Sequence, residues 1–278
     1  MNVVFSFEKS SWKMTRCFIN AAALLVMESI FAHFLRPTLM QNKSLTHLHR
    51  RIIGCTACPR LVKWREKVAT EKTARFANEK YWGKPLPGLG APAARLLIIG
   101  LAPAAHGGNR TGRMFTGDRS GDWLFRALYK AGFANQPASQ HRDDGLMLKD
   151  CYITATLRCA PPANKPLPQE IENCRPYLRS EFALLKNARV ILALGRIGFD
   201  SALWLCREFN LADFKARPKF FHRAEYRLRD NRLLLASFHP SQQNTFTGRL
   251  TEAMFDAVFR RAKNFINKNE SVKTHCDQ

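Results

Sequence analysis

Two separated side chains carry most of the chemistry available to this sequence. Asp118 lies between Gly117 and Arg119 in a glycine-rich stretch, and His239 precedes Pro240 and Ser241. A carboxylate without bulky neighbours can project into a cleft and hold or polarise a water molecule. The same carboxylate is equally suited to capping a helix that starts near Ser120. His239 follows an apolar run, which puts it either at a pocket rim or packed within its own loop. Phe115, shortly before Asp118, is suited to stacking on a planar ligand or to filling the core.

Eight cysteines form a second group: Cys17, Cys55, Cys58, Cys151, Cys159, Cys174, Cys206 and Cys276. Only Cys55 and Cys58, in the tetrapeptide CTAC, are close together. Joined by Cys159 and Cys174 from across the fold, they would offer four sulfur ligands to tetrahedral zinc or to an iron-sulfur cluster, and spacing does not separate the two. The other reading is that only the close pair matters and the remaining thiols are packed. Four thiolates leave no open coordination position, so either centre would pin the chain rather than react. Cys151 reads as strand core, Cys206 as helix packing, and Cys17 and Cys276 as terminal. Cysteines this sparse, with no A-x-A-like cleavage site ahead of them, point to a reducing compartment.

Other chemistries lose support by motif. Gly107, Gly108, Gly112 and Gly117 fit neither G-x-G-x-x-G nor the Walker pattern, and there is no G-x-S-x-G elbow or H-E-x-x-H helix.

These residues need elements to position them. Short apolar runs at 95–100, 150–154, 190–194 and 233–238 read as buried strands. They alternate with helical patterns at 121–131, 168–186, 195–208 and 247–267, and a helix interrupted at Gly54 and Cys55 covers 44–69. This alternation predicts a three-layer α/β/α fold around a central, mainly parallel four-stranded sheet. The glycine-rich loop follows the first strand, TLRCAPPANKPLP the second and HPSQQNTFTGR the fourth. Ligands in such sheets bind beyond the carboxyl ends of the strands, so these three loops are expected to converge on one pocket.

The chain of 278 residues holds 44 Lys+Arg against 22 Asp+Glu, a formal charge of +22, with 46% hydrophobic residues. A chain this apolar buries a core, and its charge favours a polyanionic partner. Residues 1–43 read as an N-terminal extension or short helix, 44–268 as a single domain and 269–278 as a frayed tail. Lys9, Lys13 and Arg16 ahead of an apolar patch at 21–27 echo a signal peptide. Asn20 and Glu28 hold that patch well short of the ~20 apolar residues a membrane span requires. Met27 or Met40 is an alternative start.

Three ordered motifs, GLAPAAHGGNRTGRMFTGD from Gly100, RCAPPANKP from Arg158 and HPSQQNTFTGRL from His239, resemble the uracil-DNA glycosylase superfamily, and within it the type-5 iron-sulfur branch. The resemblance covers about 45–266. It implies a monofunctional glycosylase that hydrolyses the bond between a damaged base and deoxyribose and leaves an abasic site. It further implies a [4Fe-4S] cluster on Cys55, Cys58, Cys159 and Cys174. Asp118 matches the water-associated aspartate, His239 the histidine that stabilises the departing base, and Phe115 the aromatic that stacks on it. Gly100, Ala102 and Asn164 fall at substrate-contacting positions of the same motifs. Where the type-4 branch has glutamate and asparagine, this chain has Leu101 and Ala155. That pattern implies a broader substrate set than uracil, including hypoxanthine, xanthine and ethenocytosine.

Base removal requires the nucleotide to be flipped out of the helix while the surrounding surface grips phosphate. Arg110, Arg113, Arg119, Lys165 and Arg249 are the expected DNA contacts, with Phe246 as a wedge. The implied partners are damaged DNA, duplex and single-stranded, and downstream abasic-site repair enzymes. A monomer with no membrane partner, acting in a bacterial cytoplasm at the nucleoid, completes the expectation. Two alternatives stand beside it: a strictly uracil-specific, type-4-like glycosylase, and a non-catalytic iron-sulfur protein that binds nucleic acid.

Overall fold

Five-residue runs of Leu, Ile, Val and Ala leave no face for water, so they are stable only in the interior of a sheet covered on both sides. The computed structural model describes residues 44–212 and 214–274, the last six as backbone only. The N-terminal segment, its apolar patch, Cys17 and Cys276 lie outside the described residues. The strands are β1 (Leu89–Gly90), β2 (Leu96–Gly100), β3 (Cys151–Ala155), β4 (Val190–Leu194), β5 (Glu225–Arg227) and β6 (Leu233–Ser237). Every residue of β2, β3, β4 and β6 is buried.

The helices are α1 (Leu45–Ile53), α2 (Pro59–Glu71), α3 (Gly108–Thr111), α4 (Arg119–Lys130), α5 (Pro168–Leu184), α6 (Gly195–Glu208), α7 (Gln242–Phe246) and α8 (Glu252–Thr274). The break expected at Gly54 is present, and α2 restarts with Pro59 in its first turn, where a missing N–H costs nothing. The long helix expected from 247 begins later. Thr251 accepts the Met254 N–H and so starts α8, leaving α7 as a separate turn.

The four-stranded expectation is corrected to a six-stranded mixed sheet in the order β1-β3-β2-β4-β6-β5. The inner four strands are parallel, with Leu96 opposite both Cys151 and Val190, and Val190 opposite Leu233. The edge strands β1 and β5 are antiparallel. Neither edge strand has an apolar run to reveal it: β1 is two residues long, and β5 exposes Glu225 and Arg227.

Alternation within the strands builds the three layers. Leu96, Ile98, Leu192 and Leu235 pack with Leu124 and Phe125 of α4 and with Phe255 and Phe259 of α8. Leu97, Ile99, Ile191 and Leu234 face the other way, onto Leu48 of α1, Phe182 of α5 and Phe199 of α6. Among the described residues, no helix is long and apolar enough to cross a membrane.

Arg158 and Glu181 form a deeply buried ion pair within this frame. Arg158 Nη2 donates to Glu181 Oε2 at 2.6 Å, and the two side chains are 1% and 0% exposed. Tyr152 Oη at 3.0 Å and Thr154 Oγ1 at 2.6 Å also donate to Glu181. The pair ties the end of β3 to α5, and the Arg158 carbonyl accepts the Leu86 N–H at 2.8 Å. Removing one partner strands the other charge in the interior. Glu181→Ala is therefore expected to destabilise by ~3–5 kcal/mol, lowering the melting temperature by roughly 6–20 °C in a calorimetric scan; a shift under ~2 °C would contradict this account of the pair.

Candidate active site

The loops leaving β2, β3 and β6 line one cleft of about 630 Å³. The first contributes Leu101, Ala102, Ala104, Phe115, Asp118, Arg119 and Ser120, the second Ala163 and Asn164, and the third His239, Ser241, Gln242 and Gln243. Asp118, His239, Phe115, Asn164 and Ala102 thus come together from distant parts of the sequence.

Asp118 occupies both places that its sequence context left open, a helix start and a cleft. It is the N-cap of α4, with Oδ1 accepting the Gly121 N–H at 3.0 Å, and it also lines the cleft. The chain packs tightly behind it. A Cβ on Gly107 would stand 2.2 Å from Asp118 Oδ2, so this position admits only glycine if the carboxylate is to stay. Burial raises the Asp118 pKa above the usual aspartate value of 3.8, with Asp122 adding to the rise. The N–H groups of Gly121 and Ser120 oppose it, and so does Arg110.

His239 lies just beyond β6. Burial lowers its pKa to about 4, so its ring is neutral at physiological pH. Phe115 is stacked near it, with ring centroids 6.1 Å apart and planes inclined by 28°. Phe115 itself has a left-handed backbone, φ +54. Gly100 does not line the cleft but makes room for this ring, since a Cβ there would stand 2.7 Å from Phe115 Cζ. Asn164 is exposed on the turn Pro162–Asn164, its backbone also left-handed at φ +56.

The expected DNA-facing cations divide into two groups. Arg110 is 8% exposed and donates to the His106 carbonyl at 2.8 Å and the Gly117 carbonyl at 3.0 Å, while pairing with Glu79. Arg113 is 7% exposed and donates to Ser139 Oγ at 2.6 Å, to the Arg142 carbonyl at 2.9 Å and to both oxygens of Asp144. Burial pushes the Asp144 pKa up, but these bonds and the N–H groups of Leu146 and Gln140 outweigh it and hold the value at about 2. Both arginines therefore brace the glycine-rich loop from within, which corrects their reading as surface contacts. Arg119, Lys165 and Arg249 are exposed. Arg119 lies over the Phe246 ring at 4.4 Å, and Phe246 is 67% exposed at the end of α7.

The four expected metal ligands require a correction. Cys55, Cys58, Cys159 and Cys174 do line a common recess, yet among the described residues no group of three or more His, Cys, Asp or Glu is placed to hold a metal ion. The thiols behave as small hydrophobes with polar neighbours. Cys159 and Cys174 pack with Leu61 and Leu157, with Cys58 and Ala102 at the margin. Arg65 Nη1 donates to Cys159 Sγ at 3.1 Å and Asn173 Nδ2 to Cys58 Sγ at 3.3 Å. Burial pushes the Cys159 thiol up to about 11 and Cys174 up to about 12, the direction of a neutral, packed thiol. The [4Fe-4S] expectation, with its metal-binding role for these four residues, gives way to packing that holds α2, the loop after β3 and α5 together beneath Ala102.

Sequence reasoning missed the part played by Gly107 and the cleft positions of Ser120 and Ser241. Ser241 stands in the motif that begins at His239, and that motif is its only signal.

Residues 87–263 match the family model described as the uracil DNA glycosylase superfamily. A type-5 uracil-DNA glycosylase of Mycobacterium bovis is 51% identical over 221 residues, which is 79% of this chain and 81% of the relative. A type-5 uracil-DNA glycosylase of Thermus thermophilus is 50% identical over 212 residues, 76% of this chain and 94% of the relative. A type-4 uracil-DNA glycosylase of Pyrobaculum aerophilum is more distant, 30% identical over 62% of this chain and 72% of its own length. Misplacing a reacting group by about 1 Å can cost ~100-fold in rate. Gly107→Ala, which displaces the Asp118 carboxylate, is expected to lower single-turnover rate by ~100-fold in a thermally stable protein; an unchanged rate would show that the close packing behind Asp118 does not matter.

Proposed function

This chain belongs to the uracil DNA glycosylase superfamily, and we propose that the cleft shared by Asp118 and His239 is where it breaks the N-glycosidic bond. It is a DNA glycosylase of the type-5 kind that leaves abasic sites, and DNA is its partner. The observation that carries the site reading is the meeting of Asp118, Phe115 and His239 around one cavity.

A base departing from deoxyribose takes the bonding electron pair with it, and the sugar gains oxocarbenium character. Water then adds to the anomeric carbon, and one of its protons ends on the departed base anion, so that the sugar gains OH and the base H. The site must offer a donor to the base and negative charge to the sugar. His239 supplies the donor: its lowered pKa keeps the imidazole neutral with one N–H, so it stabilises charge on the base without first losing a proton. Asp118 supplies the charge and orients the water, with Oδ1 fixed by the Gly121 N–H. Phe115 offers a face to the extruded base, and Asn164 a polar contact from the opposite loop. Leu101, Ala102 and Ala104 give few hydrogen bonds for discrimination. That supports a substrate set beyond uracil, hypoxanthine included.

The exposed cations Arg119, Lys165 and Arg249 grip phosphate, and Phe246 fills the space the nucleotide leaves. Because the extruded nucleotide is what the cleft reads, duplex and single-stranded DNA both serve. Residues 44–268 act as the single glycosylase domain and work as a monomer, every wall of the cleft coming from one chain. The abasic product passes to repair enzymes at the bacterial nucleoid, in the cytoplasm.

End-labelled duplex carrying one uracil, incubated and then cleaved with alkali, tests the roles. Abasic sites are expected with the parent. His239→Ala should be slower by ~100-fold and Asp118→Ala by at least as much, and equal rates in all three would reject both roles. Hypoxanthine in the matched duplex should also be released; no release would restrict the enzyme to uracil. Asp118 works ionised, and burial raises its pKa, so the single-turnover rate falls as pH drops toward a limb lying above 3.8. Asp118→Asn should show a low rate without that limb, and a parent profile flat to pH 4 would contradict the assignment.

A further inference from the structure

The loop between α6 and β5 presents a basic, aromatic surface that the cleft chemistry does not use. Because β5 runs antiparallel to β6, with Glu225 opposite Leu235, it enters the sheet at the end where the parallel strands finish. The segment before it therefore emerges beside the cleft. The Arg223 N–H donates to the Ala236 carbonyl at 2.8 Å, and the Ala236 N–H to the Ala224 carbonyl at 2.9 Å, extending this pairing. His222 Nδ1 accepts the Phe238 N–H at 3.3 Å, and its ring lies against that of Phe238 with centroids 5.3 Å apart. Phe238 immediately precedes His239, and Arg249 covers its ring at 4.6 Å. The loop and the His239 segment are thus one continuous wall.

Lys219, Phe221 and Arg223 are exposed on this loop, Phe221 to 54%. Arg217 is tied to Asp200 at 2.9 Å, whereas among the described residues no carboxylate pairs with Lys219 or Arg223. An exposed aromatic ring between two unpaired cations suits a nucleic-acid strand, since phosphates meet the cations and a base or sugar covers the ring. We propose that Lys219, Phe221 and Arg223 form a second contact for damaged DNA, holding the strand on the β5 side of the extruded nucleotide. The proposal rests on the glycosylase reading of the cleft. Strands lie ~4.8 Å apart, which puts β5 ~10 Å from β4 at the centre of the sheet, about three nucleotide steps along a strand.

The test measures the salt dependence of affinity for a duplex of about 20 base pairs bearing a tetrahydrofuran abasic analogue. The parent is compared with K219Q/R223Q, with Phe221→Ala, and with K149Q/K186Q, which removes equal charge just before the amino ends of β3 and β4. Two lost phosphate contacts should reduce the slope of log affinity against log salt by about 1.8. Phe221→Ala should weaken binding roughly tenfold. K149Q/K186Q should change neither quantity. An unchanged slope in K219Q/R223Q, or an equal fall in K149Q/K186Q, overturns the proposal. Uracil excision by the parent, assayed in the same preparation, reports separately on the glycosylase reading. If excision is intact while the slope is unmoved, only the second contact fails.

Discussion

The hydrogen bond from the Gly121 N–H to Asp118 Oδ1 fixes where this carboxylate stands, and the proposed mechanism depends on that position. A free aspartate samples several rotamers, whereas one that caps α4 is held by the helix it starts. The helix is in turn held by Leu124, Phe125 and Leu128 in the core. Packing energy from the interior is in this way converted into the position of one carboxylate. The cap also tempers what burial does to it: burial favours the neutral acid, while the N–H groups at the helix start favour the anion.

The second group named in the proposed mechanism meets a different constraint. Burial keeps His239 neutral, so that in that mechanism it would reach the base as an N–H donor and not as a cation. In the proposed mechanism Asp118 acts as the anion on the sugar side although burial favours its neutral acid, and His239 acts as a neutral donor on the base side. Arg110 and Arg113 are turned inward onto carbonyls and carboxylates, Arg110 still favouring the Asp118 anion, while Arg119 lines the cleft itself. Arg119, Lys165 and Arg249 are left exposed, where phosphate can reach them.

Much of the frame was legible because the inner strands are wholly apolar and a buried parallel strand has few other ways to look. The edges were not, since a two-residue strand and a strand exposing Glu225 and Arg227 carry no periodic signal. The convergence of three loops followed from where parallel strands end. The inward turn of Arg110 and Arg113 did not, because arginine in a glycine-rich loop reads as surface until its partners, Ser139 and Asp144 among them, are brought alongside by the fold. The cysteines failed for another reason. A thiol is both a ligand and a small hydrophobe, and spacing alone cannot tell which property Cys159 and Cys174 use.

In the proposed mechanism a fixed anion faces a sugar gaining positive charge, which a comparison of two DNA duplexes reads out: one with a cationic pyrrolidine in place of the deoxyribose, the other with the neutral tetrahydrofuran analogue. The protein should prefer the cation by at least about tenfold, or about 1.4 kcal/mol, and Asp118→Asn should abolish the preference while binding of the neutral analogue persists. Equal affinity for the two analogues, or a preference that survives Asp118→Asn, would contradict that mechanism.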